Sequence, residues 1–348
     1  MSKPILGIIG GGQLGSMLAI AANKLEIKTV IFCDDIDAPA QNFSNDFVHG
    51  EYNDKNKINE FLNKVDVVTY EFENIPYETL NEINKIKPVL PKPSVNRIIQ
   101  HRLAEKDFIN NLNIRTTRYV SIEKKSEMEP VEDLLPGILK TTTLGYDGKG
   151  QHPISSLENL DSIDVDYSKG YILEKLVKLK KEISIIITRF DIQKYEIYEP
   201  IENEHEDQIL RNSKIPAEIS DKILEQSKLW ATTIAEELKY VGTLCVEFFI
   251  DRNDNLYVNE IAPRVHNSGH LTINAYNVSQ FENHVRAVCK LEQIPLKKIS
   301  NAMMTNIIGD QITNYRNKEH NENEFFFDYL KKEIKPKRKM GHLTTLLK

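Results

Sequence analysis

Short apolar runs alternate with a helix-like segment at the start of the chain. Residues 4–9 form an apolar run typical of a buried strand, and residues 29–33 form a second run rich in β-branched side chains. Between them, residues 16–25 carry apolar side chains at helical spacing. Strand, helix and strand in this order predict a βαβ unit with parallel strands.

A glycine-rich loop joins the first strand to this helix. Gly10, Gly12 and Gly15 satisfy the spacing G-x-G-x-x-G, and Asp34 and Asp35 follow about 20 residues later, where a ribose contact would be needed. Such a loop lets an anion approach the N-terminus of the helix. The pattern is compatible with a nicotinamide-dependent dehydrogenase, and that function stays open as an alternative.

Polar residues follow the next apolar run directly. Residues 65–70 predict a strand, and Glu71, Glu73 and Asn74 come immediately after it or close by. Ligands bind beyond the carboxyl ends of strands in an open α/β sheet, so we expect these side chains beside the glycine loop. Helix capping is the alternative, because Asn74 also opens a predicted helix that extends to about Lys85.

The first domain is predicted to end near Pro93. One helix is predicted over residues 95–112, and strands are predicted over residues 171–177 and 181–189. The second of these strands carries a single acid near its start, Glu182, for which plain solvation is the alternative to a binding role. Residues 220–238 have the pattern of an amphipathic helix, with Trp230 on its apolar face.

A second glycine-rich loop lies in the middle of the chain, after the first domain. Residues 137–140 predict a strand that leads into the loop 141–151, whose backbone N–H groups can approach a phosphate closely. Lys140 and Lys149 would add positive charge. The loop lacks the G-K-[ST] ending of a Walker A motif. A β-hairpin turn with incidental lysines is the alternative interpretation.

A β-hairpin is predicted over residues 246–261, with the polar turn formers 252–255 between its strands. An even-length turn pairs residues whose numbers sum to 507, which places Glu247 opposite Glu260. Opposed like charges destabilise a strand pair. Two carboxylates on one face can hold Mg²⁺ if phosphate oxygens complete its coordination. Two solvent-facing glutamates are the alternative, since a slip of one residue separates the pair.

The segment after the hairpin is rich in functional side chains. Pro263 ends the second strand, and the next seven residues contain the following polar side chains: Arg264, His266, Asn267, Ser268 and His270. A guanidinium and two imidazoles so close together are typical of a loop that binds anions and moves protons. A plain polar loop is the alternative.

Composition excludes several classes of protein. The chain has 348 residues, 40% of them apolar, and a net charge of −6, so bulk binding to nucleic acid or to an anionic membrane is not expected. Three cysteines show no paired or metal-type spacing. No apolar run reaches the length of a membrane span. We therefore expect a cytoplasmic protein of two or three domains.

These stretches, in this order, resemble the ATP-grasp superfamily and, within it, the N5-carboxyaminoimidazole ribonucleotide synthases. The matching segments are IIGGGQLGSML, VTYEFENIP, HRLAEKDF, LGYDGKGQ, EKLV with Glu182, VEFFI, VNEIAPRVHNSGH and PKRKMGHLT. The resemblance implies an α/β (α+β) fold of four parts: a Rossmann-like preATP-grasp domain (1–93), a linking helix with the lid subdomain (94–178), the C-terminal ATP-grasp subdomain with the hairpin (179–295), and a small C-terminal subdomain with a basic patch (296–348).

The resemblance also assigns residues to ligands. It implies ATP contacts at Arg102, Lys140, Gly145, Tyr146, Asp147, Gly148, Lys149, Gly150, Gln151, Glu174, Lys175, Leu176, Val177, Glu182, His205, Asn259 and Glu260. It implies Mg²⁺, or Mn²⁺, at Glu247 and Glu260. It implies substrate contacts at Gly12, Gln13, Leu14, Glu73, Asn74, Lys332, Arg338 and Lys339, and catalytic roles for Arg264, His266, Asn267 and His270.

The implied reaction carboxylates 5-aminoimidazole ribonucleotide with ATP and bicarbonate through carboxyphosphate, in de novo purine biosynthesis, in a homodimeric enzyme. Closure of the glycine loop would protect that intermediate from water. A formate-using glycinamide ribonucleotide transformylase would share the glycine loop and the acids but not APRVHNSGH. A non-catalytic nucleotide-binding regulator would leave that segment without a role. A solvated basic tail with affinity for nucleic acid is the alternative for the C-terminal patch.

Two positions depart from the family pattern. Thr142 and Thr143 stand where many relatives have basic residues before the glycine loop, so a phosphate contact there is not expected. Lys337 replaces a glycine that is common before the Arg-Lys pair of the C-terminal motif. A left-handed turn at Lys337 would be strained.

Overall fold

The N-terminal part of the computed structural model is a parallel sheet with the strand order β3-β2-β1-β4. The structure describes residues 3–124, 129–143, 150–161, 163 and 165–347. The first elements are β1 (Leu6–Ile9), α1 (Gln13–Lys24), β2 (Thr29–Cys33), β3 (Asp46–His49), α2 (Lys55–Leu62), β4 (Val67–Tyr70) and α3 (Tyr77–Asn84). The predicted βαβ unit is confirmed, because β1 and β2 pair in parallel and α1 connects them.

Two helices and a small antiparallel sheet follow. The elements are α4 (Pro93–Ile99), α5 (Arg102–Asn111), β5 (Tyr119–Ile122), β6 (Gly137–Thr141), β7 (Gln151–Ile154), α6 (Leu157–Asp161) and β8 (Tyr171–Lys175). The strand order is β5-β8-β6-β7.

The single helix predicted over residues 95–112 is wrong. The chain breaks at His101, whose backbone is extended (φ −119°, ψ 107°) and whose side chain caps α5 by accepting the N–H of Ala104. The N–H of Arg102 donates to the carbonyl oxygen of Thr142 at 2.8 Å. The break therefore ties the start of α5 to the small sheet.

A large antiparallel sheet contains the rest of the strands. Its elements and the helices around it are β9 (Leu179–Asp191), β10 (Lys194–Ile197), β11 (Ile201–Glu206), β12 (Ile209–Ile215), α7 (Asp221–Glu237), β13 (Gly242–Asp251), β14 (Leu256–Ala262), α8 (Thr272–Ala275), α9 (Gln280–Val288), β15 (Asn301–Ile308), α10 (Gln311–Arg316), β16 (Glu324–Asp328) and β17 (Lys339–Leu347). The order is β14-β13-β9-β11-β12-β15-β17-β16, and β10 pairs with β9.

The helices fix the position of this sheet. The apolar face of α7, which contains Ile234, packs with Ile185, Leu244 and Phe248 of the sheet. Leu18 of α1 shares a second core with Phe281 of α9, so α9 joins the N-terminal domain to the large sheet. The predicted helix 220–238 is confirmed, with Trp230 partly buried against the core. Among the described residues, no helix combines the length and the apolar character needed to cross a bilayer.

Candidate active site

A continuous cleft of about 1350 Å³ brings together residues from the N-terminal domain, the small sheet, the hairpin β13–β14 and the C-terminal loop. The predicted residues that line it are Gly12, Gln13, Leu14, Glu73, Asn74, Arg102, Lys140, Gln151, Glu174, Lys175, Leu176, Val177, Glu182, His205, Glu247, Asn259, Glu260, Arg264, His266, Asn267, Arg338 and Lys339. The residues predicted for ATP and those predicted for the second substrate therefore share one cavity.

Other predicted residues are not part of the described lining. Gly145, Tyr146, Asp147, Gly148 and Lys149 lie outside the described residues. Gly150 follows them in a left-handed turn (φ 71°) beside Thr141. His270 is fully buried behind the cleft, and Lys332 pairs with Asp37 at the surface, at 2.9 Å.

The predicted pairing of Glu247 with Glu260 is confirmed, but the predicted register near the turn is wrong. Phe249 pairs with Tyr257, so residue numbers there sum to 506 instead of 507. A β-bulge at Asn259 adds one residue to the second strand and restores Glu247 to its place opposite Glu260. Both carboxylates line the cleft.

Two buried side chains of α5 hold the bulged strand. Lys106 donates from Nζ to the carbonyl oxygen of Asn259 at 3.0 Å, and Glu105 accepts the N–H of Ile261 at 2.6 Å. Burial, together with the nearby Glu260 carboxylate, raises the pKa of Glu105. Sequence reasoning missed both residues, because the strand that they hold lies more than 150 positions further along the chain.

Each carboxylate of the pair has a basic neighbour. His266 Nε2 lies 2.9 Å from Glu247 Oε1, and a guanidinium nitrogen of Arg102 lies 3.4 Å from Glu260. Burial raises the pKa of Glu247, but His266 outweighs this effect and holds the pKa below its ordinary value. Glu247 is therefore ionised at neutral pH. Two carboxylates and Asn259, which also lines the cleft, offer the hard oxygen donors that suit Mg²⁺.

A buried carboxylate lies between two lysines at one side of the cleft. Glu174 is 3.3 Å from Nζ of Lys106 and 3.2 Å from Nζ of Lys140, and it accepts a hydrogen bond from Thr117 at 2.9 Å. Burial raises the pKa of Glu174, but the two lysines outweigh burial and hold it far below its ordinary value. Burial lowers the pKa of Lys106, which does not line the cleft, whereas Lys140 does line it and can meet a phosphate there.

A second acid–base pair lies on β9 and β11. His205 Nδ1 is 2.7 Å from Glu182 Oε2, and both side chains line the cleft. Burial lowers the pKa of His205, but the hydrogen bond and the charge of Glu182 raise it above its ordinary value overall. Glu182 therefore has a specific partner, which a merely solvated strand residue would not have.

Arg264 and Asn267 are fixed by residues far away in sequence. Both Nε and Nη2 of Arg264 contact the carboxylate of Glu73, the second at 3.0 Å. The side-chain amides of Asn267 and Asn306 pair reciprocally, at 3.0 Å and 2.5 Å. The Arg264–Glu73 pair connects the end of the N-terminal sheet to the loop after the hairpin.

A chain of buried hydroxyls supports His266 from behind. Nδ1 of His266 lies 2.9 Å from Oγ of Ser268, which lies 2.8 Å from Oγ of Ser184. Asn203 donates to Ser184 at 3.0 Å. Ser184 pairs directly with Glu247 across β9 and β13. No sequence pattern pointed to Ser184 or Asn203, because their roles depend on this strand pairing.

His270 is placed for packing rather than for contact with a ligand in the cleft. Its ring centroid lies 5.0 Å from that of His342 and 5.5 Å from that of Phe281. Burial, and then the neighbouring His342, hold the pKa of His270 well below its ordinary value. His270 is therefore not among the residues that line the cleft, and its position does not support the direct catalytic contact expected for it.

The glycine loop at α1 is already occupied by a carboxylate of the chain. Glu71 accepts the N–H groups of Gly12 and Gly15, the second at 2.6 Å. A Cβ on Gly12 would lie 2.8 Å from the same carboxylate. A dinucleotide would need these N–H groups for its pyrophosphate. The geometry therefore opposes the dehydrogenase alternative.

Comparison with known proteins supports the resemblance to the ATP-grasp superfamily. Residues 2–100 match the ribonucleotide synthetase preATP-grasp domain, residues 107–281 the ATP-grasp domain, and residues 302–348 the phosphoribosylaminoimidazole carboxylase C-terminal domain. The chain is 36% identical to an N5-carboxyaminoimidazole ribonucleotide synthase of Staphylococcus aureus, over 98% of this chain and 92% of that protein. For a synthase of Brucella melitensis the values are 37%, 98% and 96%.

Solved structures agree closely with the fold. The ADP complex of an N5-carboxyaminoimidazole ribonucleotide synthetase superposes with a TM-score of 0.94 at 34% identity, covering 100% of this chain and 94% of that one. An Aspergillus clavatus synthase in complex with ADP and 5-aminoimidazole ribonucleotide gives 0.90 at 27% identity, covering 99% and 94%. The chain belongs to the N5-carboxyaminoimidazole ribonucleotide synthase family, ATP-grasp ligases of purine biosynthesis.

Proposed function

We propose that this chain carboxylates 5-aminoimidazole ribonucleotide with ATP and bicarbonate through a carboxyphosphate intermediate, using the residues of the cleft. The observation that supports this most is the convergence of the Glu247–Glu260 pair with the Arg264–Asn267 loop in one cavity. Bicarbonate would attack the γ-phosphate of ATP and release ADP. The amine of the ribonucleotide would then take the carboxyl group and release phosphate.

ATP is proposed to lie between the small sheet and the large sheet. Glu182 would bind the ribose hydroxyls, with His205 holding its carboxylate in place at 2.7 Å. Residues 174–177 would meet the adenine through their backbone. Lys140 and Arg102 would contact the phosphates, because both line the cleft and both have basic side chains.

Glu247, Glu260 and Asn259 would hold Mg²⁺, or Mn²⁺ in its place. A cation bound there would neutralise negative charge on the ATP phosphates while bicarbonate attacks. The chain's own part is to hold the two carboxylates opposite each other. The bulge at Asn259, held by Lys106 and Glu105, provides that geometry.

The loop after the hairpin is proposed to hold bicarbonate and to move the proton. Arg264 is oriented by Glu73 and can present its remaining N–H groups to an anion. His266 is held between Glu247 at Nε2 and Ser268 at Nδ1, so its ring orientation is fixed. We assign positioning to Asn267, which is tied to Asn306. His270 would act only through packing.

The ribonucleotide is proposed to lie at the other end of the cleft. Gly12, Gln13 and Leu14 form one wall there, with Glu73 and Asn74 beside them. Arg338 and Lys339 of the C-terminal loop are proposed to contact its phosphate, as an arginine fork and a point charge. Lys332, which pairs with Asp37 outside this lining, would hold the loop rather than the substrate.

We also propose a homodimer in the cytoplasm, as the resemblance implies. Sedimentation of the purified chain should then give about twice its mass of 40.1 kDa at micromolar concentration. A mass of one chain at all concentrations would remove the dimer from the proposal without affecting the reaction.

The test is phosphate release from ATP by the purified chain with Mg²⁺. Release should require both bicarbonate and 5-aminoimidazole ribonucleotide. Glu260→Ala should lower it at least about a hundredfold, a loss of roughly 2.7 kcal/mol of barrier lowering. Glu204→Ala, which removes an exposed acid of β11 outside the cleft lining, is the matched control. Turnover that needs neither co-substrate, or an unaffected Glu260→Ala, would refute the proposal.

A further inference from the structure

The C-terminal loop contains a strained turn at the edge of the cleft. The N–H of Arg338 donates to the carbonyl oxygen of Lys335 at 3.1 Å, which closes a β-turn with Pro336 and Lys337 at its centre. Lys337 has φ +65°. Proline followed by a left-handed residue is the pattern of a type II turn, whose third position favours glycine. The left-handed turn expected to be strained at Lys337 is therefore present.

Packing does not offset this strain. The side chain of Lys337 is exposed, and within the described part of the chain it makes no hydrogen bond or ion pair. Its neighbours differ in this respect. Lys335 pairs with Glu333 at 2.7 Å, and Arg338 donates to the backbone oxygen of Glu333 at 3.2 Å. Strained backbone conformations cluster at active sites and at positions that hold a ligand.

The loop faces the glycine loop across the cleft. Lys332 pairs with Asp37 at 2.9 Å. Asp37 lies three residues before Ala40, and the N–H of Ala40 donates to the carbonyl oxygen of Gly11 in the glycine loop at 3.0 Å. The basic residues of the C-terminal loop that line the cleft are Lys331, Lys335, Lys337, Arg338 and Lys339. So many cations on one wall favour an anionic ligand such as a phosphate monoester.

Charge distinguishes Lys337 from the other left-handed residues near the cleft. Among the described non-glycine residues with positive φ, Asp207 and Gln208 also line it, and neither is basic. Lys290 has the same kind of backbone (φ 55°) but lies at the C-terminal end of α9, away from the cleft lining. Lys290 is therefore a natural control for strain without the site.

We propose that Lys337 binds the phosphate monoester of the ribonucleotide substrate, as an addition to Arg338 and Lys339. The inference rests on the proposed function, because it takes the ligand of this wall to be that ribonucleotide. Lys337 would be a binding residue that strengthens the ground-state complex, so it should act on KM for the ribonucleotide and not on the chemical step.

The experiment compares Lys337→Gly, Lys337→Asn and Lys337→Arg with Lys290→Gly. Lys337→Gly should raise KM for the ribonucleotide about five- to tenfold, the effect of losing one charge-assisted contact, and should leave kcat and KM for ATP within about twofold. Its Tm should rise by about 2 °C, because glycine relieves the strain. Lys337→Asn should raise KM likewise, and Lys337→Arg should keep KM near the wild-type value. Lys290→Gly should raise Tm without changing KM.

A KM for the ribonucleotide that is unchanged in Lys337→Gly and Lys337→Asn would overturn the inference, whatever Tm does. So would an equal rise in KM for ATP, which would indicate a general effect on the cleft. Titration calorimetry with the ribonucleotide alone repeats the comparison without turnover. Failure of the proposed function is seen separately, as wild-type protein that releases no phosphate with all substrates present.

Discussion

His284 should make the stability of this protein fall in mild acid. Its ring is fully buried on α9, where Nδ1 accepts the N–H of Thr243 at 3.0 Å and Nε2 lies 2.8 Å from Oγ1 of Thr69. The first contact fixes the tautomer, with the proton on Nε2 donated to Thr69. Protonation of Nδ1 would break the bond to Thr243, and burial lowers the pKa of His284 to about 4.

The magnitude follows from proton linkage. The unfolded chain binds a proton on His284 with a pKa of about 6.5, and the folded protein only near 4. Because the folded pKa is lowered, the contribution of His284 to stability is full above about pH 6.5 and falls as pH decreases toward 4. Between pH 7 and pH 5.5 this loss is about 1.3 kcal/mol.

Other groups change stability over the same range, so a variant is needed. His342, whose pKa is lowered to about 3 by burial, acts in the same direction as His284. His205 and Glu105 have raised pKa values and act in the opposite direction, because their folded forms hold protons more tightly than the unfolded chain. His284→Gln leaves these three unchanged, so the difference between the two proteins isolates His284.

The assay is the free energy of unfolding from urea denaturation at pH 7.0 and pH 5.5, for wild type and His284→Gln. The variant should be less stable at pH 7.0, since it loses buried hydrogen bonds. From pH 7.0 to pH 5.5, the free energy of unfolding of the wild type should fall by about 1.3 kcal/mol more than that of the variant. An identical pH dependence in both proteins would show that His284 titrates in the fold as it does unfolded, and would refute the reasoning.

Two further predictions concern side chains that support the site. Lys106→Met should lower kcat at least about tenfold and stability by about 3 kcal/mol, because it releases the Asn259 bulge and removes one partner of buried Glu174. Phosphate release measures the first effect and urea denaturation the second, with the surface variant Lys64→Met as the control. An unchanged kcat in a destabilised protein would refute the positioning role. Ser268→Ala should lower kcat about tenfold, since Ser268 fixes the ring of His266. An unchanged kcat, like that expected of the exposed control Ser155→Ala, would count against this role.

The sequence alone predicted most of the elements and the acid pair, but not the break between α4 and α5 or the bulge in β14. The spacing of apolar residues predicted the βαβ unit and α7, because the face of an element that packs on the core carries apolar residues at the period of that element. The two glutamates were predicted to face each other because a short turn joins their strands, but in the structure this pairing also needs the bulge at Asn259. Segment order and resemblance predicted the cleft residues well, since Arg264, His266 and Lys140 all line it.

Tertiary structure decided which of these side chains face the cleft. His270 shares a loop with His266, yet it packs against His342 from β17, and no local pattern distinguishes the two histidines. Glu71 lies beside the glycine loop as predicted, but only the structure shows that its carboxylate accepts the N–H groups of that loop. The bulge at Asn259 depends on Lys106, which lies 153 positions earlier in the chain.

The physical reason is the difference between local and long-range constraints. Apolar spacing and turn chemistry act within a few residues, so the sequence predicts most strands and helices directly. The bulge at Asn259, in contrast, is held by a partner from a distant segment. A buried polar group must find a partner, and that partner can come from any element that packs nearby. Glu71, Lys106 and Ser268 each have a partner from a distant segment of the chain, which only the fold reveals. Those partners show which side chains support the structure and which are left to contact a ligand.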